Sequence, residues 1–182
     1  FDIEINEKDP DKFVDVVKSI STTFGGINLE DIKAPEAFKI EKDLINQLDI
    51  PVMHDDQHGT AIISAAALLN ALELTDKKIE DVKIVVSGAG AAAIACTNLY
   101  ISFGAKLKNI VMTDSKGVIR NDRDNLTDEK KYFATEKDIG SLEEAMVDSD
   151  VFIGLSMANI VSKEMLRSMS KNPIVFAMAN PD

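Results

Sequence analysis

Residues 82–104, VKIVVSGAGAAAIACTNLYISFG, constrain the possible folds of this chain more than any other stretch. A β-branched apolar run ends in a glycine-containing turn, and small residues then continue as a helix. The rest of the chain repeats the alternation. Upstream, Phe13, Val16, Val17 and Ile20 fall at helical spacing between an Asp-Pro-Asp opening and Gly25-Gly26. A strand within GINLEDI follows, then an amphipathic stretch after Pro35 through Phe38, Leu44, Ile45 and Leu48, and a strand at Ile50–Met53. A helix from about Gly59 to Leu74 is apolar nearly all round and is expected to lie between layers. Downstream of the glycine turn come a strand in NIVMTD, a polar segment, a short helix near Leu142–Val147, a strand in VFIGLS, a helix in SKEMLRSM and a strand in PIVFAMAN.

Strands written as continuous apolar runs between helices predict an α/β protein whose mostly parallel sheet is covered on both faces. The expected architecture is a Rossmann-like, doubly wound sheet over residues 75–182, preceded by a smaller α/β segment over residues 1–74. The boundary falls at the polar link TDKKIED.

Charge and cysteine content narrow the partners. With 20 Lys+Arg against 31 Asp+Glu, the net charge of -11 repels a phosphate backbone, so no nucleic-acid partner is expected. The apolar runs are too short to cross a bilayer, so no membrane partner is expected either. Cys96 is the single cysteine, which excludes an intrachain disulfide and a cysteine metal site and fits a reducing, cytoplasmic location.

Two groups of residues point to chemistry. Gly88-Ala89-Gly90-Ala91-Ala92-Ala93 is a G-x-G-x-x-A turn between a strand and a helix. Gly88 permits the tight turn, Gly90 lets a pyrophosphate approach the backbone, and Ala93 lets the helix pack close to the strand. Asp114 ends the next strand, about where a carboxylate meets an adenine-ribose hydroxyl. Asp114 favours NAD, whereas Lys116, Arg120, Arg123 or Lys131 could pair with the 2′-phosphate of NADP, and the residues leave the choice open.

The second group is Glu30-Asp31 with Asp55-Asp56. Each pair closes a short strand, and one helix joins the strands, so a right-handed parallel crossover puts both pairs at one carboxyl edge. Neighbouring strands about 4.8 Å apart would let these carboxylates share a hard cation, magnesium or manganese rather than zinc. Helix N-caps or solvated turns account for the same residues equally well. His54 and His58 are spaced i, i+4, but His54 belongs to the strand end, so they do not form one helix face. Met165 and Met169 read as core residues, and Cys96 as a packing residue.

GGINLEDIKAPEAFKIE, PVMHDDQHGTAI, SGAGAAAIA, DSKG and FAMANPD, in that order, resemble the malic enzymes, most nearly the short bacterial-type ones. The resemblance implies oxidative decarboxylation of L-malate to pyruvate and carbon dioxide with reduction of NAD or NADP. It makes Glu30, Asp31 and Asp56 the ligands of Mg2+ or Mn2+, and Asp55 a catalytic-site partner of the family's lysine base. Ala89, Gly90, Ala91 and Ala92 become the phosphate-binding turn, Asn180 faces the nicotinamide or the substrate carboxylate, and a homodimer is implied.

The family's lysine base and tyrosine acid have no matching segment among these residues, since Tyr100 and Tyr132 lie in the wrong region. The chain begins at Phe1 and stops just after an apolar run. It is therefore expected to be a piece of a longer polypeptide, inactive alone. Two other readings are a non-catalytic nucleotide-sensing module and a dehydrogenase of the amino-acid type.

Overall fold

The computed structural model describes residues 1–33, 35–124 and 126–179, which pack as two compact units, residues 1–60 and 61–182.

In the first unit, helix α1 (Pro10–Ser21) begins as its sequence directs. The Asp9 carboxylate accepts from the N–H groups of Asp11 and Lys12, and Pro10 occupies the first turn, where its missing N–H is not needed. Strand β1 (Ile27–Leu29), helix α2 (Glu36–Gln47) and strand β2 (Val52–His54) form a β-α-β crossover. The two strands pair in parallel, Ile27 with Val52 and Leu29 with His54. A small core of Val14, Val17, Leu29, Ile40 and Leu44 joins both helices to this pair.

Helix α3 (Asp55–Thr75) starts directly after β2, four residues earlier than the sequence pattern indicates. Acidic residues complement the positive end of the helix, so Asp55 and Asp56 fit the first turn rather than a preceding loop. From Ala61 onward α3 packs in the second unit through Ala61, Ala65, Leu68 and Leu72. The expected two-sided burial is not found. Ile62, Ile63 and Leu74 are 58%, 67% and 87% exposed, so α3 buries one stripe only.

The second unit is built on a five-stranded sheet. Its strands are β3 (Ile84–Ser87), β4 (Ile110–Asp114), β5 (Gly117–Val118), β6 (Val151–Gly154) and β7 (Ile174–Ala177), in spatial order β5-β4-β3-β6-β7. All neighbours are parallel except the short edge strand β5. Side chains alternate between the faces, as the strand period requires. Ile84, Val86, Ile110, Met112, Val151 and Ile153 meet α3 and helix α4 (Ala91–Ser102) on one side. Val85, Val111 and Phe152 meet helices α6 (Leu142–Met146) and α7 (Lys163–Arg167) on the other. The doubly wound, mostly parallel sheet is thus present, with both faces covered.

The polar segment after β4 holds two elements that its sequence does not announce. One is β5, which folds back on β4 through Asp114 opposite Gly117; the other is helix α5 (Asp128–Tyr132), capped by the Thr127 hydroxyl. Cys96, Met165 and Met169 are buried in the cores, as expected. Among the described residues, no helix is long and apolar enough to cross a membrane.

Candidate functional site

The parallel pairing of β1 and β2 ends at Leu29 opposite His54, so the next residues, Glu30 and Asp55, leave the same carboxyl edge side by side. Asp31 follows in the left-handed backbone region, with φ of 55°, and turns the chain away from the strand. Asn28 donates its amide N–H to Glu30 Oε1 at 2.7 Å. Glu30, Asp31 and Asp56 are exposed and Asp55 is half-buried. The Asp55 carboxylate lies over Gly59, where an added Cβ would overlap it, so glycine one turn into α3 makes room for this side chain. None of the ion pairs among the described residues engages Glu30, Asp31, Asp55 or Asp56.

The donor chemistry at this edge, carboxylates without a protein counter-charge, suits a hard divalent ion. The side chains do not converge on one point. Among the described residues, no three His, Cys, Asp or Glu side chains stand close enough together to hold a metal ion.

Sequence reasoning missed Glu41. It stands on the buried stripe of α2 with Ala37, Ile40 and Leu44 and is only 7% exposed. Its carboxylate accepts from the His54 N–H at 2.9 Å and from Gln57 Nε2 at 3.4 Å, and His58 Nε2 lies 2.9 Å from Oε1. A glutamate recurring in register with apolar residues was the available signal. His58 therefore has a partner on α2. The fully buried His54 ring has none at either nitrogen among the described residues.

In the second unit, β4 and β6 leave β3 on opposite sides, and the glycine turn sits at the fork, where ligands bind in open α/β sheets. Gly88 adopts φ of +124°, and an added Cβ would meet the Leu155 carbonyl at 3.2 Å. Its N–H donates to the Thr113 carbonyl at 2.9 Å. Gly90 is the N-cap of α4 and offers no side chain to the first-turn N–H groups, and a Cβ there would meet nothing within 4 Å. The open space at Gly90 is what a phosphate approaching the helix N-terminus requires. Ala93 is buried against the strand. Ala89, Ala91 and Ala92 complete the turn and the first turn of α4, all half-buried.

Asp114 ends β4 at the expected position, but its carboxylate is already engaged. Arg123 binds both oxygens, at 3.0 and 2.9 Å, Lys130 Nζ lies at 2.9 Å and the Lys116 N–H at 2.9 Å. Burial pushes the Asp114 carboxyl up, yet these hydrogen bonds outweigh it and hold the group well below the usual carboxylate range. Arg120 is bound to Asp122 and Asp138, and Lys131 to Asp128. The side chain of Lys116 enters none of the ion pairs among the described residues. Asn180 lies outside the described residues. A separate apolar cavity of about 320 Å3, lined by Phe152, Met157, Val161, Leu166 and Val175 among others, includes no residue of the glycine turn.

Residues 57–182 match the family model described as malic enzyme, NAD binding domain, and residues 3–45 match malic enzyme, N-terminal domain. The whole chain aligns at 53% identity with 24% of an NADP-dependent malic enzyme of Haemophilus influenzae. It aligns at 51% with 24% of an NAD-dependent malic enzyme of Rhizobium meliloti. It therefore spans about a quarter of the length of these relatives. Among solved structures, the NAD-dependent malic enzyme of Thermotoga maritima superposes with a TM-score of 0.92 at 42% identity, over all of this chain and 49% of that one. An ornithine carbamoyltransferase of Pyrococcus furiosus, at 15% identity and a TM-score of 0.63, shares the fold alone.

Proposed function

From the premise that the chain belongs to the malic enzyme family, we propose that it supplies the metal and dinucleotide sites for oxidative decarboxylation of L-malate to pyruvate and carbon dioxide. Residues 1–74 carry the metal-site carboxylates and residues 75–182 the NAD(P) site. The observation that carries this reading is the open glycine turn at the fork of a sheet that matches the family's NAD-binding domain.

In this reading the α4 amides and the backbone at Gly88, Ala89, Gly90, Ala91 and Ala92 hold the pyrophosphate, and Asn180 meets the nicotinamide or the substrate carboxylate. Glu30, Asp31 and Asp56 hold a divalent Mg2+ or Mn2+. When bound, that ion supplies Lewis-acid polarisation of the substrate oxygens. Asp55 orients a lysine that takes the hydroxyl proton, and a tyrosine protonates C3 after decarboxylation. Both of those groups come from outside these 182 residues.

The test is a malate-dependent NAD(P) reduction assay with Mn2+. The chain alone is expected to bind dinucleotide without turnover, and the whole protein to turn over. Appreciable turnover by the chain alone would overturn the division of roles. A whole protein active with malate in the presence of a chelator would overturn the metal assignment.

Cofactor choice follows from Asp114. With its charge neutralised by Arg123 and Lys130, it no longer repels a 2′-phosphate, and the neighbouring Lys116 has no carboxylate partner among the described residues. These observations support NADP. Lys116→Ala should weaken NADP binding about tenfold or more and leave NAD nearly unchanged. Equal losses for both would refute this preference. The homodimer implied by the family is checked by sedimentation of the whole protein.

A further inference from the structure

Helix α5 is short and exposed, yet both of its flanks are anchored. Leu126 and Phe133 are buried in the core that also holds Ala93 of α4 and Met112 of β4. That anchoring brings Lys130, within α5, to the end of β4, where its Nζ donates to Asp114 Oδ2 at 2.9 Å. Two residues beyond Met112, Asp114 falls on the strand face that α4 covers. The preceding Thr113 carbonyl accepts from the Gly88 N–H, so this carboxylate stands next to the glycine turn.

An ionised carboxylate has about four lone-pair positions, and those of Asp114 are taken. Oδ1 accepts from the Lys116 N–H and Arg123 Nη1, and Oδ2 from Arg123 Nη2 and Lys130 Nζ. A ribose 2′-hydroxyl that donates to this carboxylate must therefore displace one of these donors. The two cations are not equally tied. Arg123 is bidentate on Asp114 and also donates to the Val118 carbonyl at 3.1 Å, so its planar fork is committed to the loop. Lys130 makes one side-chain hydrogen bond among the described residues, although an ammonium group carries three N–H donors. With both cations on a single carboxylate, the end of β4 keeps an excess of positive charge.

We propose that Lys130 selects the cofactor: it occupies the acceptor that the free 2′-hydroxyl of NAD needs, and offers its remaining donors to the 2′-phosphate of NADP. The proposal rests on the reading of the glycine turn as the dinucleotide site.

The test is calorimetric titration of the whole protein with NAD and with NADP, with a thermal melt of every variant. Wild type is expected to bind NADP more tightly than NAD. Lys130→Met keeps the apolar stem and removes the charge. It is expected to weaken NADP about tenfold or more and to tighten NAD about threefold, because a lone pair of Asp114 Oδ2 becomes available to the 2′-hydroxyl. A purely structural role for Lys130 would move both affinities the same way. Lys130→Ala serves the same comparison if Lys130→Met does not fold, and Lys130→Arg, which retains the charge, is expected to keep the preference for NADP. Equal changes for the two cofactors on removal of the charge, or no change, overturn the proposal and leave the dinucleotide site intact. A loss of preference in Lys130→Arg as large as in Lys130→Met also overturns it. Wild type that binds neither cofactor removes the dinucleotide reading and this proposal together.

Discussion

Asp114 illustrates how one side chain can hold a loop, through Arg123, Lys130 and the Lys116 N–H. Its carboxyl is held below its ordinary value, near 3.9 in an unfolded chain, so folding favours the ionised form. The resulting stabilisation is fully present above the unfolded pKa and is lost as pH falls through the folded one. Asp114→Asn is therefore expected to cost about 2 kcal/mol at neutral pH, in line with charge-assisted hydrogen bonds, and to flatten the acid limb of the stability curve. Urea melts from pH 7 down to acid conditions would show it, and an unaltered acid limb would refute it. Asp150 carries the same sign: burial raises its carboxyl, but Lys77, the Lys83 N–H and Ser170 bring it below the usual range. His54 is the opposite case. Its ring is buried with neither nitrogen bonded among the described residues, and an orphaned polar group costs about 1–3 kcal/mol. His54→Leu is thus expected to raise the unfolding free energy by about 1 kcal/mol, and a fall in the denaturation midpoint would refute this.

At the scale of elements, the two glycines of the β3–α4 turn do different things. Gly88 has positive φ and a carbonyl against its missing Cβ, so Gly88→Ala should destabilise the fold by about 1–3 kcal/mol and abolish dinucleotide binding with it. Gly90 has ordinary φ and open space, so Gly90→Ala should change stability by about 1 kcal/mol or less. Its methyl would still block the phosphate approach and weaken NAD(P) binding by about tenfold or more. Calorimetry and fluorescence titration on both variants separate the roles, and full binding by Gly90→Ala would sink the phosphate assignment. On α3 and α4, the Tyr100 hydroxyl donates to Ser64 Oγ at 2.9 Å inside the shared core, with Cys96 Sγ at 3.4 Å. This bond joins the two helices through polar groups in an apolar interface. Local pattern made nearly every strand and long helix legible. It did not reveal β5 or α5, because each is short and is held by pairing with β4 or by one hydroxyl cap rather than by a periodic apolar face.

For the whole molecule, dinucleotide should stabilise the unit that binds it. At a ligand concentration a hundred times Kd, the gain is about 2.7 kcal/mol. A thermal scan with NADP is expected to raise a melting transition that Mn2+ leaves in place, and no shift at saturating NAD(P) would refute the dinucleotide site. The α/β class, the doubly wound sheet and the position of the glycine turn followed from the sequence, because strand and helix periods and glycine's backbone freedom are local properties of the chain. The shared carboxyl edge of Glu30-Asp31 and Asp55-Asp56 could be inferred as far as the crossover topology and no further. Tertiary packing alone decided that Glu41 reaches the junction between β2 and α3, that Asp114 is taken up by Arg123 and Lys130, and that the His54 ring is buried with no partner among the described residues. Each of these depends on which side chains meet across different elements. That is set by distance in space and the need to satisfy buried charge, quantities that no stretch of sequence contains by itself.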